Sequence, residues 1–324
     1  MCAPASNQPL IDPQILSRAF AFTQYLLPRH WLTAVVYRVA RIRIISVKNA
    51  LISAFVRLYG VDLDEVSRDV PDAFRTFNAF FIRELKDGAR PIDTRPMSIV
   101  SPVDGTVTQA GKLQADSIFQ AKGHRYSLDD LLAADLDDAR AFRDGSYVTL
   151  YLAPHNYHRV HAPLGGELVA AHYVPGDLFS VNAATVLHVA GLFHRNERLI
   201  LRIATAHGPM ALIFVGALNV GSISTRWSGE VRPRKSGVVE MLDTSAHSRR
   251  VEKGELLGWF NMGSTVIVLL PRGVCDWHHD LTPGKTLCMG ESIGEIGKKV
   301  GSEKSRVEPK SRVEPDFFVR TGNQ

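Results

Sequence analysis

Three stretches of the sequence carry residue types that do acid–base or nucleophilic chemistry. The first is HNYHRVHAP, residues 155–163, in which His155, His158 and His161 recur every third residue between Pro154 and Pro163. Imidazole titrates near neutral pH, so two histidines three apart beside Arg159 are an acid–base candidate. Zinc is the other reading. On a strand, however, His155 and His161 share a face while His158 points away, and the prolines leave too little helix to bring i, i+3 partners together. No His-Glu-x-x-His signature occurs, and no metal is expected. The second stretch is SPVDG, where Asp104 sits in a Pro/Asp/Gly turn. By itself it reads as an Asx-turn carboxylate. The third is NMGSTVIV, with the Gly263–Ser264 bond just before an apolar run. Glycine places no side chain beside its carbonyl, and a deprotonated serine hydroxyl attacks a carbonyl. Taken alone, Gly-Ser-Thr is a common tripeptide. His278 and His279 are adjacent, diverge, and read as surface residues.

The elements around these stretches fall into two textures. Before residue 90 the apolar residues recur at helical spacing: Ile15, Ala19 and Phe22; Leu32, Val35, Val36 and Val39; Leu51, Ile52, Phe55, Val56 and Tyr59. Pro28 ends the first pattern and Gly60 the third. A further short helix is expected over Arg75–Leu85, with Phe77, Phe80 and Phe81 on one face. After about residue 98, short runs rich in Val, Ile, Leu and Tyr alternate with Gly, Pro and Asp, the pattern of strands. One helix is expected near Ser127–Ala134 with Ser127 as its N-cap, and residues 182–194 read as helix or loop. The fold class is therefore α+β: a β-rich catalytic body behind a group of amphipathic N-terminal helices. The expected divisions are 1–90 helical, 91–298 β-rich, and 299–324 a charged tail in which KSRVEP occurs twice in tandem.

Composition narrows the class. The chain has 324 residues, 45% hydrophobic and 22% charged, which is ordinary for a globular protein. Cys2, Cys275 and Cys288 are too few and too scattered for a disulfide framework. No apolar run has the ~20 residues of a membrane span, no secretory signal is read, and no Gly-x-Gly-x-x-Gly or Walker motif occurs. The net charge of +5 is unevenly placed. Residues 1–60 carry Arg18, Arg29, Arg38, Arg41, Arg43, Lys48 and Arg57 against Asp12 alone. A basic helical arm has two readings: helices packed on a core with solvated cations, or helices lying in an anionic membrane surface.

The ordered set SPVDG, AKGH-x-YSL, YHRVHAP, VPGDLFSVN, LFHRNER, VGALNVGSI and MGST resembles the phosphatidylserine decarboxylases of the bacterial membrane-bound type. The resemblance runs from about Leu26 to Glu295 and leaves out the first residues and the KSRVEP tail. It implies a proenzyme that cuts itself at Gly263–Ser264, giving chains 1–263 and 264–324. Ser264 then becomes a covalent pyruvoyl group, the cofactor that forms a Schiff base with the substrate amine and accepts the electrons freed by loss of CO₂. Asp104 and His161 match the residues that activate the serine, and His158 matches the histidine of the decarboxylation step. His155 falls where the family varies and receives no role. Met262 stands where many members have Leu, a swap of similar volume.

The implied activity converts phosphatidylserine to phosphatidylethanolamine and CO₂ in phospholipid biosynthesis. Expected partners are phosphatidylserine, an anionic membrane surface, the two chains of one precursor and, as an open option, a second copy in a homodimer. No nucleic acid is expected, and the expected location is peripheral, on the cytoplasmic face of the cell membrane. With a lipid substrate, the interfacial reading of the basic helices becomes the stronger one. Arg159, Arg195 and Arg198 are the candidate phosphate binders. Two rivals stand beside this reading: a serine hydrolase built on the same residues, which lacks Gly-x-Ser-x-Gly, and a non-enzymatic lipid-binding protein.

Overall fold

A computed structural model describes residues 13–121, 123–133 and 139–297, so the KSRVEP tail lies outside the described residues. Three helices lead the chain: α1 (Pro13–Leu26), α2 (Arg29–Val39) and α3 (Ile45–Tyr59). Pro28 separates the first two, as expected of a residue that cannot continue a helix. α3 stops at Gly60, whose φ of 63° is left-handed and whose N–H closes on the Val56 carbonyl. The short α4 (Phe77–Phe81) starts where the Thr76 hydroxyl accepts from the Ala79 N–H. It ends sooner than the periodicity predicts. Leu85 bridges to Val66 and the Lys86 N–H bonds the Glu65 carbonyl, so tertiary pairing takes over the backbone that would have extended the helix.

The body is sheet, in agreement with the α+β reading. Its nine-stranded antiparallel sheet runs β12 (Glu240–Met241), β7 (Gly166–Val174), β8 (Arg198–Thr205), β9 (Gly208–Val215), β15 (Thr265–Leu270), β5 (Ser146–Tyr151), β2 (Gly105–Lys112) and β17 (Thr286–Leu287), with β13 (Arg250–Val251) also on β7. A four-stranded sheet holds β11 (Gly229–Val231), β10 (Ile223–Thr225), β14 (Leu256–Phe260) and β6 (Arg159–His161). A third orders β1 (Ser98–Val100), β18 (Ser292–Ile296) and β16 (Cys275–Trp277), and β3 (Ser117–Ala121) pairs with β4 (His124–Ser127). Three short helices complete the body. α5 (Leu128–Leu132) is capped by Ser127, and residues 182–194 form α6 (Ala183–His188) and α7 (Leu192–Arg195), parted by the left-handed Gly191.

The apolar run Val266–Leu270 is buried throughout because β15 is central, between β9 and β5, with both of its faces covered. A second apolar cluster forms where α3 meets α4: Ile52, Phe77, Phe80 and Phe81, with Met262 packed against it. Phe55 of α3 meets the rings of Phe77 and Phe81 edge-on at 5.1 and 5.8 Å. This cluster ties the leading helices to the segment carrying the Gly-Ser bond.

Candidate active site

Gly263–Ser264 lies on the four-residue connector that carries the chain from β14 in one sheet to β15 in the other. The connector is anchored before the bond. Asn261 Nδ2 donates to the hydroxyls of Ser222 (2.8 Å) and Ser224 (3.1 Å), and the Asn261 carbonyl accepts from Asn78 Nδ2 of α4 at 2.7 Å. It is anchored again after the bond, where the Leu152 N–H donates to the Ser264 carbonyl at 2.8 Å. Between these holds, Ser264 is fully enclosed and its hydroxyl has no hydrogen-bond partner. A buried hydroxyl without a partner is costly, which singles Ser264 out as a candidate for chemistry.

His158 lies against this bond. A β-carbon on residue 263 would stand 3.3 Å from its Cε1, so the glycine is what lets the ring approach. The ring stacks on Phe81 at 4.1 Å and has no exposed surface. Nε2 lies 3.3 Å from the Pro154 carbonyl, which only accepts, so Nε2 carries the proton and Nδ1 is an unpartnered lone pair. Burial, reinforced by the Arg83 charge, pushes its pKa down to about 3, so the ring is neutral at pH 7.

His161 sits three residues further along β6. Its Nδ1 is 2.8 Å from the Gly254 carbonyl, which places the proton on Nδ1 and the lone pair on Nε2. Nε2 receives the Tyr157 hydroxyl at 3.2 Å. Burial lowers its pKa, against the opposing charge of Asp104. The His161 N–H donates to the Pro102 carbonyl at 2.8 Å, which fastens SPVDG to β6.

Asp104 is buried, and neither of its oxygens caps its own turn. Arg90 grips both through Nε and Nη2 at 2.7–3.0 Å, and the Met289 N–H donates to Oδ1 at 2.8 Å. The other side of the Arg90 fork holds both oxygens of Glu65 at 2.8 Å, which lowers the Glu65 pKa. Sheet register explains how the parts gather. Thr106 is opposite Tyr151 and Tyr151 is opposite Thr265, so Asp104, Leu152 and Ser264 leave three adjacent strands at the same end. The hydrogen bonds of a Ser-His-Asp relay are nevertheless not made: His161 is paired with Gly254 and Tyr157, and Asp104 with Arg90.

Three cavities meet this centre. One of about 170 Å³ borders Gly263 and is walled by Tyr59, Phe81, Tyr151 and Asn182. A strongly apolar one of about 320 Å³ runs between α2, α3 and α4 and ends on Met262. A polar cleft of about 400 Å³ reaches Tyr157 and Arg90 from the other side.

The chain is similar to proteins of a single family. The family model for phosphatidylserine decarboxylase matches residues 77–295, the span from α4 to β18, and a second model described as PSD matches residues 19–60. The chain belongs to the phosphatidylserine decarboxylase family. The phosphatidylserine decarboxylase proenzyme of Methylococcus capsulatus is 48% identical over 277 residues, covering 86% of this chain and 96% of that protein. The proenzyme of Stutzerimonas stutzeri is 45% identical over 86% of this chain and 94% of its own, and that of Marinobacter nauticus 41% identical over 88% and 100%.

Within this family frame, several residues near the centre carried no signal in the sequence. Arg90 and Glu65 stand in unremarkable loops, and only the fold brings them to Asp104. Tyr157 was in view, one residue before His158, but its type suggested nothing until its hydroxyl met His161. Of the three arginines proposed for phosphate, Arg198 is buried, with its guanidinium spent on the carbonyls of Leu131, His194 and Asn196, and so is structural. Arg195 lies over Phe179 at 4.7 Å, and Arg159 pairs with Glu84 at 3.0 Å. His155 is exposed and contributes only its carbonyl, to Arg83.

Proposed function

We propose that this protein matures by cutting itself at Gly263–Ser264 and then decarboxylates phosphatidylserine to phosphatidylethanolamine through a pyruvoyl group made from Ser264. The observation that carries this reading is the enclosed, unpartnered Ser264 hydroxyl, held beside a glycine carbonyl and His158 at the edge of a cavity. An external ester cannot reach a fully buried hydroxyl, whereas the preceding carbonyl is already there, which favours self-attack over a serine hydrolase. The same pocket suits the pyruvoyl group, since that group grows from the Ser264 backbone without needing new space.

The hydrogen bonds support the following roles. Gly254 fixes the His161 tautomer, so Nε2 is the lone pair that takes the Ser264 proton once the Tyr157 hydroxyl turns aside. Asp104, held in place by Arg90, supplies negative charge that steadies the imidazolium. Oγ attacks the Gly263 carbonyl and displaces the Ser264 nitrogen to give an ester; loss of the Cα proton and cleavage of Cβ–Oγ then release the Gly263 carboxylate and leave dehydroalanine. Tautomerisation and loss of ammonia to water complete maturation. The pyruvoyl group supplies an electron sink for the departing carboxylate. His158 faces the same connector with its Nδ1 lone pair free, so it serves the protonation of the substrate α-carbon by first taking up a proton at Nδ1 and then giving it.

The leading helices support a membrane-surface location. Among the described residues, twelve of the eighteen exposed large hydrophobic ones lie between Phe20 and Tyr59, including Phe22, Leu26, Trp31, Ile44, Ile45 and Leu58. Among the described residues, no helix is long and apolar enough to cross a membrane. The apolar cavity that ends on Met262 is of a chemistry that takes an acyl chain. The arm's cations divide into two sets. Arg29 pairs with Asp177, Arg41 with Glu230, and Lys48 is buried on the Pro71 carbonyl, so these three hold the fold instead of facing lipid. Arg18, Arg38, Arg43 and Arg57 are the exposed ones.

Intact-mass measurement tests the central claim. The active protein separates into chains 1–263 and 264–324, and the smaller one has no free N-terminal amine. A fully active preparation of uncut chains would refute it.

A further inference from the structure

The face of α4 turned away from the Phe55 cluster leads to a cavity of about 310 Å³ that the chemistry above does not use. Four arginines line it, Arg68, Arg75, Arg83 and Arg159, with Glu84 as the acid on its wall. Glu84 is shared between Arg159 at 3.0 Å and Arg68 at 3.7 Å. Arg83 is 4% exposed. Its Nη2 donates to the His155 carbonyl at 2.8 Å, while Nε and Nη1 have no partner. Asp104 and Glu65 offset its charge without bonding it. The wall therefore carries more guanidinium than carboxylate, and planar forks of this kind match phosphate oxygens two at a time.

The neighbourhood indicates where that phosphate comes from. Segment 71–78, which forms one side of the cavity, is tied to the α2–α3 corner: the Asn78 N–H donates to the Ala40 carbonyl at 2.8 Å, and Lys48 Nζ to the Pro71 carbonyl at 3.1 Å. That corner presents Ile44 and Ile45, 63% and 69% exposed. Exposed isoleucines beside an arginine-lined hollow are the two halves of a phospholipid contact, an apolar anchor and a headgroup clamp.

We propose that this cavity binds the headgroup phosphate of an anionic phospholipid at the bilayer surface, apart from the pocket at Gly263. The inference rests on the membrane-surface reading above and names the residues that give it headgroup selectivity. Binding of a second lipid here holds α4 down against the membrane while Phe81, on the same helix, keeps its stack on His158.

The test uses the full-length protein with vesicles of phosphatidylcholine alone or phosphatidylcholine with phosphatidylglycerol, an anionic lipid with no serine. Arg68 and Arg75 are exposed, so the double variant Arg68→Lys/Arg75→Lys keeps charge and fold while losing the forks. Affinity for the phosphatidylglycerol vesicles is expected to fall at least fivefold, with binding to phosphatidylcholine unchanged. Equal affinity of variant and wild type would mean diffuse charge attraction and would overturn the site. Phosphorus NMR with inorganic phosphate is the second arm: a phosphate complex lost in the variant, with vesicle affinity unchanged, would assign the cavity to free phosphate and also overturn the lipid proposal. Wild-type protein that ignores both vesicle types sinks the membrane-surface reading itself, a different result from either.

Discussion

The Cε1 of His158 lies 3.3 Å from the point where a β-carbon on Gly263 would stand. At that distance a side chain on residue 263 would crowd the imidazole, so the glycine gives the ring room beside the Gly263–Ser264 bond. Gly263→Ala forces the ring or the connector to shift by a few tenths of an ångström. Self-cleavage is expected to slow by at least tenfold while the melting temperature changes little, as read by gel densitometry and calorimetry. Unchanged cleavage would show that the close approach has no part in maturation.

The two histidines separate by their partners. His161→Ala removes the proposed base, whose lone pair is set by Gly254, and is expected to leave the chain uncut. His158→Ala is expected to cut, at least in part, and then to turn over phosphatidylserine poorly. The reverse pattern would move the base to His158, which stands nearer to Gly263.

Arg90 joins two carboxylates. Replacing it with Gln strands the buried Asp104 without its ion pair, and breaking a buried pair in this way costs about 3–5 kcal/mol. Arg90→Gln is expected to unfold at lower denaturant and to cut slowly. Arg90→Gln/Asp104→Asn is expected to regain much of the stability without regaining cleavage, because the lost charge is also the one proposed to steady His161. Equal recovery of both properties would make the cluster purely structural.

His158 gives the pH dependence a sign. Its folded pKa of about 3 lies below the ordinary histidine value of 6.5, so the unfolded chain takes up a proton that the folded one refuses. The stability this contributes is present above pH 6.5 and is lost progressively as pH falls from 6.5 toward 3. His161 adds to the loss in the same direction. The drop in melting temperature between pH 8 and pH 5 is expected to shrink in His158→Gln; an identical drop would place the titration elsewhere.

The exposed and the engaged cations of the arm are distinguishable. Arg38→Gln/Arg43→Gln is expected to weaken binding to anionic vesicles, at ~1 kcal/mol per charge, with added salt closing the gap. Lys48→Ala is expected instead to lower stability with little effect on vesicle affinity, since its ammonium is occupied by Pro71 and Asn49. Co-sedimentation and thermal melts on the same samples check both.

Much of this was legible in the linear order of residues. Helical spacing marked α1 to α3, Pro28 and Gly60 marked their ends, and the apolar run after Ser264 announced a buried strand, because these follow from local backbone chemistry and from period. The family was visible for a similar reason, and so were the candidates Asp104, His158, His161 and Ser264: their motifs are contiguous. What only the tertiary structure decided is which groups touch. Arg90 reaches Asp104 across fourteen positions, Gly254 reaches His161 across 93, and Met262 packs on α3 from the far end of the chain. Lys48 reads as a solvated cation in the sequence, and its burial depends on a loop 23 residues away. Such pairings depend on strand register and on packing between distant segments, and no local periodicity records them.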